Sequence, residues 1–308
     1  MASSDLLADD GRRIPVCSWQ PDPDNKPTTV IQIFHGLGEH AGRYGRFAAA
    51  CNEHGLAVVA HDHRGHGENP AVAGHFADHA GWDKLIADAL QVQQYISDTY
   101  PGTPIVLLGH SMGSYIAQSF VMRHPQNVSA LILSASTFSS RSDLRAGHLL
   151  ASLLSLTGKR RKSMLLDKLG FGAFNKAFEP ARTDFDWLSR DEAEVDQYVS
   201  DPLCGGPFSN QLWSDLTGGL LEITSADAVS RIPRDLPILI LGGQRDPVGG
   251  AKGLARLADV YRRTGHTNLT LKVYDAGLHE MLNEINRDEV TGDILRWIGS
   301  RELRGQFT

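Results

Sequence analysis

Short apolar runs alternate with longer amphipathic stretches over most of this sequence, and this alternation limits the possible folds more than any other feature. It is typical of parallel strands that are joined by crossover helices. The predicted strands cover 30–34, 56–60, 105–108, 130–133, 237–241 and 269–274, and the predicted helices cover 44–54, 82–100, 111–123, 250–264 and 283–298. Because these strands are apolar almost throughout, we expect an α/β sheet covered on both faces.

The alternation stops after about Ser136 and resumes only at Leu236. The segment between them contains helical-looking stretches and no convincing strand, as expected for helices inserted into an α/β core. At 308 residues the chain is long for one compact domain, but its length suits a single large core with an insertion. We therefore predict a core formed by 1–137 and 234–308 and an inserted helical cap over 138–233.

Charge and composition exclude several classes of protein. Lys and Arg total 30 against 36 Asp and Glu, a net charge of −6, and no basic segment predicts nucleic-acid binding. The first ten residues do not resemble a signal peptide, and no run of ~20 apolar residues predicts a membrane span. The odd number of cysteines (Cys17, Cys51 and Cys204) and their wide spacing argue against a disulfide framework. We expect buried free thiols and a cytoplasmic protein.

The pentapeptide Gly109-His110-Ser111-Met112-Gly113 lies between a predicted strand and a predicted helix. A Gly-x-Ser-x-Gly sequence is short enough to occur by chance, but at such a junction it forms a sharp turn that presents the serine hydroxyl above the sheet edge. We expect a strained backbone at Ser111, and glycines on either side because side chains there would collide with the closely packed strand and helix. The alternative is a glycine-rich turn with an idle serine.

A serine hydroxyl is a weak nucleophile and needs an adjacent base. His279 follows the last predicted strand, so its loop reaches the same sheet edge as Ser111. Asp246 follows the preceding predicted strand and would fix the tautomer of this histidine and stabilise its charged form. Asp275, on the histidine loop itself, is the alternative acid. His110 is expected to pack or orient its neighbours.

Acyl transfer places negative charge on the former carbonyl oxygen, and pre-aimed backbone N–H groups stabilise that charge. One donor is expected to be Met112, directly after the serine. The other is expected to be Leu37, in the glycine-rich turn His35-Gly36-Leu37-Gly38-Glu39-His40 after the strand at 30–34. The alternative is a plain glycine-rich turn.

The segment His61-Asp62-His63-Arg64-Gly65-His66 resembles the ligand runs of metallohydrolases. Gly65 stands where such a run would carry an acid. We therefore favour a tight structural loop packed near the turn of Leu37, and we predict neither a metal nor another cofactor.

Taken together, these motifs resemble the monoacylglycerol lipase and lysophospholipase branch of the α/β-hydrolases. The resemblance is carried by His35–His40 with Arg43-Tyr44, by Asp62–Gly67, by Gly109–Gly113 and by Leu278-His279-Glu280. It implies the α/β-hydrolase fold, with a mostly parallel eight-stranded sheet flanked by helices and an inserted helical cap. It also implies a Ser111–Asp246–His279 triad with oxyanion donors at Leu37 and Met112.

The activity implied by this resemblance is hydrolysis of a small, lipid-derived acyl ester, such as a monoacylglycerol or a lysophospholipid, through an acyl-enzyme and without a cofactor. Three alternatives stay open. One is a short-chain esterase, a second is a thioesterase or another acyl hydrolase with the same triad, and the third is a non-catalytic binding protein of this fold.

The predicted cap begins with a strongly apolar stretch that includes Leu144, Leu149, Leu150, Leu153, Leu154 and Leu156, and the basic run Lys159-Arg160-Arg161-Lys162 follows it. A helix of this kind suits either an acyl channel or a peripheral contact with a lipid surface. It equally suits a buried cap helix that ends in a solvated charged loop. The sequence does not predict the oligomeric state.

Overall fold

The computed structural model describes residues 2–21 and 26–303. Its strands are β1 (Ala2–Leu7), β2 (Arg13–Trp19), β3 (Thr29–Phe34), β4 (Leu56–His61), β5 (Ile105–His110), β6 (Ala130–Ser134), β7 (Ile238–Gly243) and β8 (Leu269–Tyr274). They form one eight-stranded sheet in the order β1-β2-β4-β3-β5-β6-β7-β8. The β1–β2 and β2–β4 pairs are antiparallel and the remaining pairs are parallel, which confirms the predicted, mostly parallel eight-stranded sheet.

The helices are α1 (Gly45–Glu53), α2 (Gly81–Thr99), α3 (Met112–Arg123), α4 (Arg141–Leu156), α5 (Met164–Phe171), α6 (Glu192–Ser200), α7 (Asn210–Ile223), α8 (Ala226–Val229), α9 (Gly250–Arg263) and α10 (Arg287–Gly299). Helices α1 and α10 pack on one face of the sheet, and α2, α3 and α9 pack on the other. In β5, Leu107 belongs to one of these cores and its neighbours Val106 and Leu108 to the other. The prediction of a sheet covered on both faces is confirmed.

Strands β1 and β2 correspond to no predicted element. Strand β1 is an edge strand with mostly exposed side chains, so it has no apolar pattern. Strand β2 buries Ile14 and Val16 but contains Pro15, a residue that argues against a strand in sequence-based prediction. Neither strand is therefore predicted from the pattern of apolar runs.

The helix predicted over 283–298 begins later, at Arg287, and a 3₁₀ turn occupies Met281–Asn283. The reason is the fully buried Glu284, whose carboxylate accepts hydrogen bonds from the Leu278 N–H at 3.0 Å and the Arg190 Nε at 2.9 Å. The predicted helix at 44–54 likewise begins at Gly45, because a 3₁₀ turn occupies Ala41–Tyr44.

Helices α4 to α8 all lie between β6 and β7 in the chain, and within 135–237 of the described chain no segment forms a strand. Helices α4 and α7 pack against each other, and α7 also packs on α2 and α3 of the core. This arrangement agrees with the helical character predicted for the segment. That 138–233 forms a separate cap stays a prediction.

The three cysteines are free: Cys51 is buried, as predicted, whereas Cys17 and Cys204 are only half-buried.

Candidate active site

Ser111 occupies a strained turn between β5 and α3. Its backbone angles are φ 50° and ψ −119°, a conformation that non-glycine residues rarely adopt. A Cβ atom at Gly113 would lie 2.0 Å from the Phe34 carbonyl oxygen, and one at Gly109 would lie 2.4 Å from the Gly113 carbonyl oxygen. The predicted strain and the predicted need for both glycines are confirmed.

The structure brings His279 and Asp246 together. The carboxylate follows β7 and the imidazole follows β8, and His279 Nδ1 lies 2.9 Å from each oxygen of the carboxylate. Both side chains are buried, whereas Asp275, the alternative acid, is exposed. Since Nδ1–H donates to Asp246, the lone pair of the neutral ring is on Nε2.

The pKa of His279 is raised above the ordinary histidine value. Burial lowers this pKa, but the negative charge of Asp246 and its hydrogen bond raise it by more, and Glu280 and Glu39 add to the rise. The net direction favours the protonated ring, so a base at this position gains proton affinity from its surroundings.

Ser111 and His279 line one cavity of about 810 Å³, within the usual range for ligand sites. Among the described residues no hydrogen bond joins Ser111 Oγ to His279, an interaction that often tightens only when substrate binds. The wall contributed by the segment between β6 and β7 is rich in aromatic side chains: Phe171, Phe174, Phe185, Trp187, Phe208 and Trp213.

Leu37 and Met112 line the same cavity. The Gly36 N–H donates to Glu39 Oε1 at 2.5 Å, so this amide is already engaged. Within the described ranges, neither the Leu37 nor the Met112 N–H donates to a protein acceptor. The structure thus places Leu37 and Met112, whose N–H groups are the predicted oxyanion donors, in the wall of the cavity that Ser111 also lines.

His35 connects this turn to the loop at 61–66. Its Nδ1 donates to the Gly36 carbonyl at 2.8 Å, and its Nε2 accepts from the His63 N–H at 2.9 Å. The His35 and His63 rings lie 4.3 Å apart, and the His61 ring packs on the edge of Phe34. These contacts support the structural interpretation of the loop.

Burial lowers the pKa of His35 to about 4 and the pKa values of His61 and His66 to about 3. Neither ring nitrogen of His61 or of His63 has a partner among the described residues. The loop therefore buries several neutral imidazoles beneath the site.

Three contacts of the site were missed from the sequence. The Trp187 ring lies 4.9 Å from the His279 ring, and the neighbouring Leu188 carbonyl accepts the Glu280 N–H at 2.8 Å. The Arg43 guanidinium binds Glu280. Arg43 and Glu280 belong to the motifs on which the resemblance rests, so the sequence marked them as candidates for the site. Trp187 belongs to no motif, so nothing in the sequence indicated its contact with His279.

The family described as serine aminopeptidase, S33, matches residues 25–286 of this chain. The chain belongs to this S33 family. It is 30% identical to the monoglyceride lipase of Mus musculus over 96% of this chain and 88% of that protein. It is 28% identical to the monoacylglycerol lipase of Mycolicibacterium smegmatis over 94% of each chain.

Solved structures agree with the S33 assignment. A carboxyl esterase from Bacillus coagulans in complex with glycerol superposes with a TM-score of 0.89, at 27% identity, over 97% of each chain. A lipase in its open form superposes with a TM-score of 0.85, at 27% identity, over 97% of this chain and 98% of the other. The protein is therefore a serine hydrolase with the α/β-hydrolase fold, similar in sequence and structure to acyl ester hydrolases.

Proposed function

We propose that this protein hydrolyses monoacylglycerols, with Ser111 as nucleophile, His279 as base and Asp246 as the acid that orients it. The observation that carries the proposal is that Ser111 and His279 line the same cavity, and that His279 Nδ1 is bound to buried Asp246. The similarity to monoglyceride lipases and to a carboxyl esterase supports the ester substrate.

In this mechanism His279 Nε2 takes the proton of the Ser111 hydroxyl while Oγ forms a bond to the ester carbonyl carbon. The Leu37 and Met112 N–H groups stabilise the resulting oxyanion, each by about 3 kcal/mol. His279 then gives its proton to the leaving glycerol oxygen, and the C–O bond breaks to leave an acyl-enzyme. A water molecule that His279 deprotonates attacks this ester, releases the fatty acid and regenerates the serine.

The walls of the cavity suit one acyl chain. Its apolar lining includes the aromatic side chains named above together with Leu144, Leu216 and Leu220. Burying such a chain contributes about 0.8 kcal/mol per methylene group. Lysophospholipids, short-chain esters, thioesters and the peptide amides suggested by the family description are the alternatives that the substrate test must separate.

The test measures hydrolysis of 1-monooleoylglycerol, lysophosphatidylcholine, p-nitrophenyl esters of increasing chain length, an acyl thioester and an aminoacyl p-nitroanilide. We expect monooleoylglycerol to have the highest kcat/KM and Ser111→Ala to abolish both its hydrolysis and labelling by a fluorophosphonate. Ser139→Ala, which changes another serine of the cavity wall, is the matched control and should stay active. Unchanged hydrolysis by Ser111→Ala would refute the nucleophile, and preference for acetate or for the anilide would refute the substrate.

We also propose that 138–233 is a cap whose outer surface contacts lipid. Helix α4 has Leu144 in the cavity wall and Leu150 and Leu154 packed on the core. On α4 and α5 together, six apolar residues point outward and are 53% to 84% exposed: Leu149, Leu153, Leu156, Met164, Leu165 and Leu169. Leu169 also lines the cavity, so this apolar surface continues into the site. None of the helices in the described residues combines the length and the hydropathy of a membrane span.

Three of the four cations in the basic run after α4 bind the core. Lys159 donates to the Asp78 carbonyl, Arg160 binds the Asp78 carboxylate and Lys162 donates to the Ala73 carbonyl. These cations join the segment to the core loop at 73–79. The contact we propose is therefore apolar and does not require anionic lipid.

Co-sedimentation with phosphatidylcholine vesicles tests this surface. We expect Leu149→Ser, Leu153→Ser and Leu156→Ser together to reduce binding at least tenfold without lowering activity on a soluble p-nitrophenyl ester. The control is Leu7→Ser with Ile285→Ser, which changes equally exposed apolar residues elsewhere. An equal loss in the control, or none in the triple variant, would contradict the proposal.

A further inference from the structure

The side chain of Arg43, which is only slightly exposed, lies between two buried carboxylates. Its Nη1 and Nη2 lie 2.6 and 2.7 Å from the two oxygens of Glu280, and Nη1 also lies 3.0 Å from Glu39 Oε2. The exposed fractions of the three side chains are 11%, 6% and 5% respectively. This fork-shaped geometry is the strong, directional form of the arginine–carboxylate interaction.

Each carboxylate belongs to a different loop of the active site. Glu39 closes the turn that contains Leu37, where it accepts the Gly36 N–H at 2.5 Å and the Tyr44 hydroxyl at 3.0 Å. Glu280 directly follows His279. Its backbone N–H donates to the Leu188 carbonyl at 2.8 Å, so the loop is held from both sides.

Arg43 also contacts the segment between β6 and β7. Its Cζ lies 4.9 Å from the centre of the Tyr198 ring, and the Tyr198 hydroxyl donates to the Gly38 carbonyl at 2.7 Å. One guanidinium thus contacts the turn of Leu37, the loop of His279 and helix α6.

We propose that Arg43 is a positioning residue for ester hydrolysis, which holds the turn of Leu37 and the loop of His279 in register and balances the charge of Glu39 and Glu280 beside the base. This inference rests on the proposed function, because it concerns the same serine and histidine.

The electrostatics of the two carboxylates agree with this role. Burial raises the pKa of Glu39, but Arg43 and His110 outweigh it and bring the pKa to about 2. Burial also raises the pKa of Glu280, and the charge and hydrogen bonds of Arg43 reverse this to a net lowering. The titratable groups that face Arg43 or its two partners are His35, Tyr44, His110, Tyr198, Asp201, Cys204 and His279.

Loss of this guanidinium has a defined electrostatic consequence. Two buried carboxylates would then lie near His279 without their counter-charge, so either the pKa of His279 rises or a carboxylate takes up a proton near neutral pH. As long as both carboxylates stay charged, the raised pKa of His279 suppresses activity on the acid side of the pH profile. A role in stability alone predicts no such change.

The protein contains a matched arginine for comparison. Arg64 is buried and binds Asp88 through two contacts of 2.6 and 2.7 Å, and it binds Asp10 at 2.6 Å. None of these three residues lines the active-site cavity. Arg64 therefore reports what a buried arginine fork contributes to stability alone.

The experiment compares Arg43→Met and Arg43→Lys with Arg64→Met and Arg64→Lys. We expect Arg43→Met to lower kcat on a p-nitrophenyl ester about 100-fold, since a 1 Å misplacement is sufficient for such a loss. KM should change less than threefold, and the acid limb of the profile of kcat/KM against pH should move to higher pH. Adding Glu280→Gln to Arg43→Met should return that limb toward the wild-type position. The Arg64 variants should lower Tm and leave kcat and the profile unchanged.

A second readout does not require turnover. The downfield proton resonance of His279 Nδ1–H gives the titration of His279 directly, and Arg43→Met should move this titration to higher pH or replace it with that of a carboxylate. Arg43→Lys keeps the charge and loses the fork, so it should lower kcat with an unchanged limb, and it decides the question if Arg43→Met does not fold. An Arg43 variant that loses Tm as the Arg64 variant does, with normal kcat and titration, would overturn the proposal. Failure of Ser111→Ala to lose activity would instead refute the proposed function.

Discussion

His279 Nδ1 lies equidistant, at 2.9 Å, from both carboxylate oxygens of Asp246, at a depth where neither side chain is exposed to solvent. An ionised carboxylate accepts hydrogen bonds and donates none, so Asp246 selects the tautomer of His279 that carries its proton on Nδ1. That tautomer leaves Nε2 as the proton acceptor toward the cavity that Ser111 lines.

Asp246→Asn is expected to lower kcat by about 10⁴-fold, because the amide can favour the wrong tautomer of His279. The substitution also removes the charge that raises the pKa of His279, so the acid limb of the remaining activity should move to lower pH. Steady-state kinetics from about pH 5 to about pH 9 measures both effects, because this range spans the ordinary pKa of histidine. Asp275→Asn, an exposed acid near the same histidine, is the control, and an equal loss in it would refute the assignment.

For the wild-type enzyme, kcat/KM should rise with pH, because the base must be neutral to accept the serine proton. Since the pKa of His279 lies above the ordinary value of about 6.5, half of the maximal kcat/KM should be reached above that pH. The measurement is a profile with a soluble ester in buffers of constant ionic strength. A midpoint below 6.5 would show that another group controls the acid limb.

Gly113→Ala should prevent folding or destabilise the protein by about 3 kcal/mol or more, because the new methyl group would lie 2.0 Å from the Phe34 carbonyl oxygen. The matched control is Gly147→Ala in helix α4, where the nearest atom outside the helix lies 3.9 Å from the new Cβ. That change should stabilise the protein by up to about 1 kcal/mol. Urea denaturation followed by circular dichroism distinguishes the two, and similar curves would contradict the packing at the turn.

The buried histidines should make the protein sensitive to acid. Burial holds the pKa of His61 at about 3, whereas in the unfolded chain it is about 6.5. The unfolded state therefore binds more protons between these values, and the free energy of unfolding falls as the pH is lowered through this window.

His61→Phe should reduce that pH dependence at little cost at pH 7, because neither ring nitrogen of His61 has a partner among the described residues. Urea midpoints at pH 7 and pH 5 measure the effect. His54→Phe, at an exposed position, should leave the dependence unchanged. A His61→Phe protein with the wild-type slope would show that other groups control acid unfolding.

The central strands and the placement of the candidate site were predictable because they depend on local signals. A strand buried on both faces is an apolar run, and the loops of Ser111, Asp246 and His279 follow such runs directly. Edge strand β1 has no such run, and Pro15 conceals β2. The contact of Arg43 with Glu280 joins residues 237 positions apart, and Trp187 reaches His279 from another segment, so neither is visible without tertiary structure. The catalytic roles themselves stay predictions.

Strands β6 and β7 are neighbours in the sheet, with Leu131 paired to Ile238 and the Ala135 N–H bound to the Leu241 carbonyl at 2.9 Å. The hundred or so intervening residues thus leave the core at the end of β6 and re-enter it at the start of the neighbouring strand β7. A foreign segment grafted between these two ends meets the same closely spaced attachment points, and the loops of Ser111, Asp246 and His279 lie outside the exchanged piece. Substrate preference in this scaffold is therefore open to modular exchange, through recombination in evolution or by chimaeras in the laboratory.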